Sequence, residues 1–252
     1  MKLYSHQLGK GDPLIILHGL FGMSDNWLTV GKQLSALYHC YILDMRNHGR
    51  SPKSADLNYD DMVEDVYEFL TDFGLRTVSF IGHSMGGMVA MKFALEYSHR
   101  IDKMVIVDIA PKSYPALHQN ILNGLKAIPI DQINSRQDAD RILAEYVTSG
   151  KTRQFLLKNL YRQKDNSYAW RVNLDAIYNH VSDIGHGIPT DHIFEKPTLF
   201  IRGEKSDYIL EEDKSQILSI FPKATIINIK DASHWVHAEK PEEFLEAVKS
   251  YL

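Results

Sequence analysis

The residues best suited to do chemistry lie in the segment Phe80-Ile81-Gly82-His83-Ser84-Met85-Gly86-Gly87. This segment follows a short apolar run and precedes a helical pattern, and it contains G-x-S-x-G in the context that this motif requires. A serine at a tight strand-to-helix turn has a strained backbone, and Gly82 and Gly86 remove side chains that would clash there. The following helix would direct its N-terminal dipole and free N–H groups at the same place. The segment predicts a nucleophilic Ser84 rather than a glycine turn with an incidental serine.

A serine hydroxyl is a poor nucleophile without a base, and the best candidate base lies late in the chain. Serine hydrolases with such a turn carry the serine, the acid and the histidine in that chain order. The segment Asp231-Ala232-Ser233-His234-Trp235-Val236-His237 follows the apolar run Ala224–Ile229 and precedes the last helical pattern. His234 is therefore expected on a loop at the carboxyl end of a strand, facing Ser84. His237 is a rival that the residues alone do not exclude.

Two aspartates compete for the role of the acid that orients the imidazole and stabilises its cation. Asp207 follows the apolar run 197–201, just upstream of the strand that carries the histidine. Asp108 ends the apolar run 103–109, at the same edge of the predicted sheet. Either carboxylate could instead cap a loop or turn. The pattern favours Asp207, with Asp108 as the alternative.

The oxyanion formed in acyl transfer needs two preorganised donors, and backbone amides can supply both. One is the N–H of Met85, the residue after the proposed nucleophile. The second is expected from the loop Leu17-His18-Gly19-Leu20-Phe21-Gly22, which follows an early strand. We predict the N–H of Leu20 for this role, with Phe21 as the neighbouring alternative.

A polar loop, Asp44-Met45-Arg46-Asn47-His48-Gly49-Arg50-Ser51, follows another early strand and resembles an anion or metal site. We interpret it structurally: Asp44 and Arg46 are predicted to pair and to cap backbone groups near the oxyanion loop.

These groups must be positioned by short apolar runs that alternate with helical patterns. The runs that fit buried strands are 13–17, 39–43, 77–81, 103–109, 197–201 and 224–229. The clearest segments with helical periodicity are 59–73, 88–97 and 241–252. Strands that alternate with helices indicate an α/β fold, with a mostly parallel central sheet and helices on both faces. In such sheets, reactive groups gather in loops at the carboxyl ends of the strands.

The stretch 111–195 breaks this alternation, because it shows four helical patterns and no convincing strand. Its length exceeds that of ordinary βα connections, so we predict a helical cap at 111–195 inserted into a core formed by 1–110 and 196–252. Such a cap would supply an apolar pocket. Tyr161, Trp170 and Tyr178 are candidate lining residues for substrate binding.

Composition excludes several classes of function. The 252 residues carry 28 Lys and Arg against 32 Asp and Glu, which argues against a broad nucleic-acid-binding surface. The apolar runs are too short to span a bilayer, and the N-terminus has no apolar signal core. Cys40 is the single cysteine, so no internal disulfide can form and a reducing, cytoplasmic location is expected. The sixfold spacing of His180, His186 and His192 fits no common zinc signature, and we predict no metal and no cofactor.

Taken together, these segments resemble the α/β-hydrolase superfamily and, more narrowly, the YbfF-type bacterial esterases. The segments that carry the resemblance are 18–22, 44–49, 82–87, 107–111 and 234–241, with a further likeness at 153–160. The resemblance implies the α/β-hydrolase fold, hydrolysis of carboxylic esters that extends to acyl thioesters, and no cofactor. It favours His234 over His237 as the base. It leaves the acid open, because family members can rely on the aspartate after the preceding strand, here Asp108.

The leading hypothesis is a serine esterase acting on a small acyl ester through an acyl-enzyme on Ser84, with His234 as general base. A carbon–carbon hydrolase or a menaquinone-pathway-type lyase would use the same serine site. A non-catalytic binding protein on this fold is disfavoured by the intact set of serine, histidine and acid. An epoxide hydrolase or haloalkane dehalogenase is disfavoured because those enzymes carry a carboxylate at the position of Ser84.

Overall fold

The computed structural model of the chain describes residues 1–114 and 118–252, and its centre is one extended β-sheet. The strands of this sheet are β1 (Ser5–Leu8), β2 (Asp12–Leu17), β3 (Tyr38–Leu43), β4 (Val78–His83), β5 (Ile101–Val107), β8 (Thr198–Gly203) and β9 (Ala224–Ile229). They lie in the order β1-β3-β2-β4-β5-β8-β9. The edge strand β1 pairs antiparallel with β3, and the pairs from β3 to β9 are parallel. The mostly parallel sheet predicted from the sequence is confirmed.

Helices cover both faces of the sheet. They are α1 (Leu28–Leu34), α2 (Tyr59–Asp72), α3 (Met85–Glu96), α4 (Gln119–Ala127), α5 (Arg136–Ala144), α6 (Gly150–Leu157), α7 (Leu174–Ile184), α8 (Asp213–Ile220), α9 (Val236–Glu239) and α10 (Pro241–Tyr251). Alternate residues of β2 belong to different hydrophobic cores, since Ile15 packs on the side of α2 and α3 whereas Leu14 and Ile16 pack on the side of α1 and α10. Burial of both faces explains why the central strands read as continuous apolar runs.

The strand register brings the carboxyl ends of the six parallel strands to one edge of the sheet. Gly82 of β4 is aligned with Leu17 of β2 and with Ile106 of β5. Further along the sheet, Gly203 of β8 is aligned with Ile229 of β9. The loops that follow these strands carry the candidate chemical groups, so the register places them around one opening.

The segment 111–195 contains helices α4 to α7 and also a short antiparallel hairpin. Its strands are β6 (Leu160–Arg162) and β7 (Tyr168–Trp170). The prediction that this segment contains no strand is therefore wrong. Each hairpin strand spans three residues, which is too short for a period-two pattern to be recognised. The division into a core and an inserted cap remains a prediction, and residues 115–117 of that stretch lie outside the described part.

The edge strand β1 was not predicted from the sequence. It is polar and partly exposed, so it lacks the apolar run that marked the central strands. Within the described residues, no helix is both long and apolar enough to cross a membrane.

Candidate active site

Ser84 lies in the turn between β4 and α3, and its backbone is strained. Its φ of 51° and ψ of −120° place it in a left-handed region that non-glycine residues rarely occupy. The strain is imposed by close packing on both sides of the turn. A Cβ added to Gly82 would lie 2.5 Å from the Gly86 carbonyl oxygen, and one added to Gly86 would lie 2.5 Å from that of Leu17. The two glycines of G-x-S-x-G are therefore required for the turn that presents the Ser84 side chain.

His234 follows β9 and forms a direct contact with a carboxylate from a neighbouring strand. Its Nδ1 lies 2.8 Å from Oδ2 of Asp108, which is fully buried. The Gly203 N–H donates to the other carboxylate oxygen at 2.9 Å, and the Ser206 hydroxyl also donates to Oδ2. Because the carboxylate is an acceptor, Nδ1 of His234 is the donor and Nε2 is left without the proton, as a general base requires.

The structure corrects the preference for Asp207 as the partner of His234. Asp207 is exposed, and within the described residues its carboxylate makes no hydrogen bond or ion pair. Asp108 instead has a φ of 51°, a strained conformation that turns its carboxylate toward the His234 loop. The sequence could not distinguish the two aspartates, because they differ in backbone conformation and in burial.

Ser84 and His234 line one cavity, which has a volume of about 460 Å³. In the part of the chain that is described, the Ser84 hydroxyl and the imidazole do not form a hydrogen bond. Such contacts are often long in the free state of an enzyme and tighten when substrate binds. The structure thus places Ser84 and His234 at one cavity, and the buried Asp108 contacts His234 from behind the cavity wall.

Leu20 and Met85, whose backbone amides are the predicted oxyanion donors, both border a small cavity that Ser84 also lines. The Phe21 amide is already used, since it donates to Nε2 of His48 at 3.2 Å. That bond occupies the Phe21 N–H, whereas the Leu20 N–H has no acceptor among the described residues. Phe21 itself has a φ of 61°, which turns the chain sharply after Leu20.

Two buried histidines hold the oxyanion loop. Nε2 of His18 accepts from the Met45 N–H at 3.0 Å, so its Nδ1 donates to the Gly19 carbonyl at 2.8 Å. His48 repeats this pattern, because its Nε2 accepts from Phe21 and its Nδ1 donates to the Arg46 carbonyl at 2.8 Å. Burial lowers the pKa of both rings, that of His48 to about 3, so both are neutral near pH 7.

The side chains of the polar loop after β3 bond to the backbone and to α2, but the predicted pair between Asp44 and Arg46 does not form. Asp44 accepts hydrogen bonds from the N–H groups of Ser24 and Arg50, which caps backbone near the oxyanion loop. Arg46 does not pair with Asp44. Its guanidinium bonds both carboxylate oxygens of Asp65, at 2.6 and 3.1 Å. A buried two-point contact of this kind anchors the loop to α2.

His237, the rival base, is packed in the core beside the site. Its ring stacks on Trp27 with centroids 3.9 Å apart, and burial lowers its pKa to about 3. His83 is also buried, and its Nε2 lies 2.9 Å from the His234 carbonyl, to which it donates. His234 stacks on Tyr208 with centroids 3.7 Å apart. Aromatic packing therefore fixes the His234 loop from both sides.

The predicted substrate-binding aromatic residues do not line the cavity. Arg171 stacks over Tyr161, Tyr178 is exposed beneath Lys126, and Trp170 lies in the hairpin. The residues that line it from the segment 111–195 are instead Tyr114, His118, Ile121, Thr152, Phe155 and Leu156. Tyr161 and Trp170 lie in the hairpin that the sequence did not predict, and for Tyr178 helical periodicity does not show which face of a helix meets the cavity.

Three contributors to the site were missed by sequence reasoning. Ser206 bonds Asp108, and Tyr208 stacks on His234; both lie in the loop after β8, where a polar run was the available signal. Asn159 is buried, and its Nδ2 donates to the Phe21 carbonyl at 2.7 Å. No sequence pattern indicated that a residue after α6 would contact the oxyanion loop. Among the described residues, no group of three His, Cys, Asp or Glu side chains is arranged to hold a metal ion.

The chain is similar to known proteins over nearly its whole length. Residues 12–241 match the family model described as alpha/beta hydrolase fold. The chain is 41% identical to the sn-1-specific diacylglycerol lipase ABHD11 of Danio rerio, over 97% of this chain and 80% of that protein. It is 35% identical to the esterase YbfF of Escherichia coli strain K12, over 96% of this chain and 94% of that protein. A solved structure of a marine microorganism esterase superposes with a TM-score of 0.98 and 38% identity, covering 100% of both chains.

The family match covers most of the α/β core and includes the turn at Ser84 after the central strand β4. The chain belongs to the α/β-hydrolase superfamily. The predicted resemblance to YbfF-type esterases is confirmed by the similarity to the Escherichia coli protein. The prediction of an enzyme of the serine carboxylesterase type agrees with the names of these relatives.

Proposed function

We propose that this protein hydrolyses carboxylic esters through an acyl-enzyme on Ser84, with His234 as general base and Asp108 as the orienting acid. The observation that carries the proposal is the 2.8 Å contact between the His234 ring and the buried Asp108 carboxylate, at the cavity that Ser84 also lines. A buried carboxylate on Nδ1 leaves Nε2 to take the serine proton. The names of the similar proteins support the same reaction class.

The reaction follows from these positions. Ser84 Oγ attacks the ester carbonyl carbon as His234 Nε2 removes its proton, and Asp108 stabilises the resulting imidazolium. The amides of Leu20 and Met85 donate to the oxyanion. His234 then gives its proton to the leaving alcohol, and a water activated by the same ring releases the acid from Ser84. An acyl thioester would react in the same way, with a thiol as the leaving group.

The direct test is covalent labelling of Ser84. A fluorophosphonate probe should modify the protein once, and mass spectrometry should place the adduct on Ser84. Ser84→Ala should lose labelling and lower the turnover of p-nitrophenyl acetate by at least about 10³-fold, because the nucleophile is absent. Ser219→Ala changes an exposed serine of α8 and should leave both unchanged.

The same experiment distinguishes the alternatives. A substrate-derived acyl group trapped on Ser84 would exclude a lyase that uses the serine site for proton transfer. A folded protein that neither labels nor turns over esters would contradict the proposed function and favour a binding protein on this fold.

The segment 111–195 is proposed to act as the cap of this site. Ile121 of α4 and Thr152, Phe155 and Leu156 of α6 line the large cavity opposite Ser84. An apolar wall of this kind suits the hydrocarbon part of an ester and excludes water from the reacting carbonyl.

A further inference from the structure

Ser84 lies between two cavities of unequal size. The large cavity, of about 460 Å³, has been described above, and the small cavity has a volume of about 40 Å³. Leu20, Ser84, Tyr114, His118 and Tyr208 border both of them. The acyl group and the alcohol group of an ester bound at Ser84 should therefore occupy different cavities.

The walls of the small cavity are mostly apolar. Beyond the shared residues it is lined by Tyr59, Met85, Ile109, Val181, Ile184 and Gly185. The hydroxyl of Tyr59 is occupied, because it donates to the Ile184 carbonyl at 2.8 Å. The small cavity thus offers mainly hydrocarbon contacts, and Met85, whose N–H has no acceptor among the described residues, lies at its edge.

His234 determines which half of the ester goes where. It borders the large cavity and, within the described residues, is absent from the lining of the small one. The leaving oxygen must lie within hydrogen-bond reach of His234 Nε2 to receive its proton. The alcohol half is therefore directed into the large cavity. The acyl half, on the opposite side of the reacting carbon and next to Met85, is directed into the small cavity.

The volume of the small cavity limits the acyl group. About 10–15 Å³ of such volume is needed for one water-sized group, so 40 Å³ admits about three. The large cavity falls in the usual range for ligand pockets, about 300–1,000 Å³. The contrast between the two volumes points to a small acid joined to a large alcohol.

We propose that the substrate class is short-chain acyl esters, of about two to four carbons, of bulky and largely apolar alcohols; this inference rests on the proposed function. The bond from Ser84 Oγ to the acyl carbon forms as the bond to the alcohol oxygen breaks, and the serine proton passes through His234 to the alcohol. Water then supplies oxygen to the acyl carbon and returns a proton through His234 to Ser84. The products are one short carboxylic acid and one large alcohol.

Two ester series test this assignment. In the first, p-nitrophenol is kept and the acyl chain grows from acetyl to dodecanoyl; kcat/KM should fall by at least about tenfold between butyryl and octanoyl. In the second, acetyl is kept and the alcohol grows from ethanol to 2-cyclohexylethanol and larger aliphatic ring alcohols of similar acidity; kcat/KM should rise or stay level. Octanoyl or dodecanoyl esters that react faster than acetyl esters would overturn the proposal.

Two variants assign each half of the ester to its cavity. Val181→Ala removes two methyl groups from the small cavity and should move the best acyl length up by about two carbons without changing the order of the alcohol series. Phe155→Ala is the matched control in the large cavity, and it should change the alcohol series and leave the acyl optimum in place. An acyl optimum that moves with Phe155→Ala and not with Val181→Ala would place the acyl group in the large cavity and refute the assignment.

Failure of this inference is distinguishable from failure of the proposed function. If Ser84 labels with the fluorophosphonate and long acyl esters are preferred, the esterase activity stands and the cavity assignment is wrong. If no ester of either series is hydrolysed and Ser84 does not label, the proposed function itself is wrong, and this inference with it.

Discussion

Replacing Asp108 and Asp207 in turn tests which carboxylate orients the His234 ring. Asp108 accepts from the His234 ring, the Gly203 N–H and the Ser206 hydroxyl. In Asp108→Asn the amide oxygen can keep the bond to Gly203, and the amide NH₂ then faces Nδ1 of His234. That nitrogen must become an acceptor, which moves the ring proton to Nε2 and blocks the base. The same change in a Ser-His-Asp triad lowers kcat by about 10⁴, or about 5.5 kcal/mol of transition-state stabilisation.

The assay is kcat for p-nitrophenyl acetate with Asp108→Asn, Asp207→Asn and the double variant. We expect a loss of about 10³–10⁴ for Asp108→Asn, because the base is held in the wrong tautomer, and a change of less than about twofold for Asp207→Asn. The double variant should match Asp108→Asn. A circular dichroism melt confirms that each protein is folded. Comparable losses for the two single variants, or Asp108→Asn activity within about tenfold of the unmodified protein, would refute the assignment.

The remaining predictions concern the oxyanion loop and the buried histidines. Asn159→Ala removes a donor to Phe21 and should lower kcat about five- to tenfold with little change in KM, since a buried hydrogen bond contributes about 1–1.5 kcal/mol. Asn173→Ala removes partly buried hydrogen bonds to Asn47 and Ser54 and should lower Tm without lowering kcat, so equal kcat losses would show that Asn159 is merely structural. Burial lowers the pKa of His48 and His237 to about 3, below the unfolded value, so only the unfolded chain takes up protons as pH falls below about 6.5. Urea denaturation at pH 5 should therefore give an unfolding free energy lower than at pH 7.5 by about 2 kcal/mol for each ring, and equal values at the two pH values would contradict this.

The parts of the site that the sequence predicts are those encoded by adjacent residues. The turn at Ser84 needs Gly82 and Gly86 two residues away on either side, and the packing distances explain why. The strand before Ser84 is buried on both faces, so its apolar run is visible without knowledge of the fold. The strand before His234 lies at the sheet edge and is partly exposed, but its residues are still mostly apolar. The glycines around Ser84 and the register of the sheet together determine where Ser84 and His234 lie.

The choice of the acid depends on features that no local pattern reports. Asp108 and Asp207 each follow a buried strand, and both loops lie at the same edge of the sheet. They differ because Asp108 adopts a left-handed conformation and is fully buried, whereas Asp207 lies on the exposed side of its loop. The residues of the segment 111–195 that line the cavity were also not predicted, because this too depends on tertiary packing. Phe155 and Tyr178 are both aromatic residues on helices of the same segment, and tertiary packing alone decides which one faces Ser84.

The crowding of histidines around the site has a physical reason. His18, His48, His83 and His237 are at most 6% exposed, and burial lowers the pKa of each, whereas His234 is 18% exposed on its side chain. A neutral ring can donate from one nitrogen and accept at the other, as His18 and His48 do, and so it can join two loops without adding charge. In the proposed mechanism, a charged Lys or Arg in those places would repel the imidazolium that forms at His234. Neutral imidazoles therefore hold the loops in this mechanism, while Asp108 stabilises the charge that develops at His234.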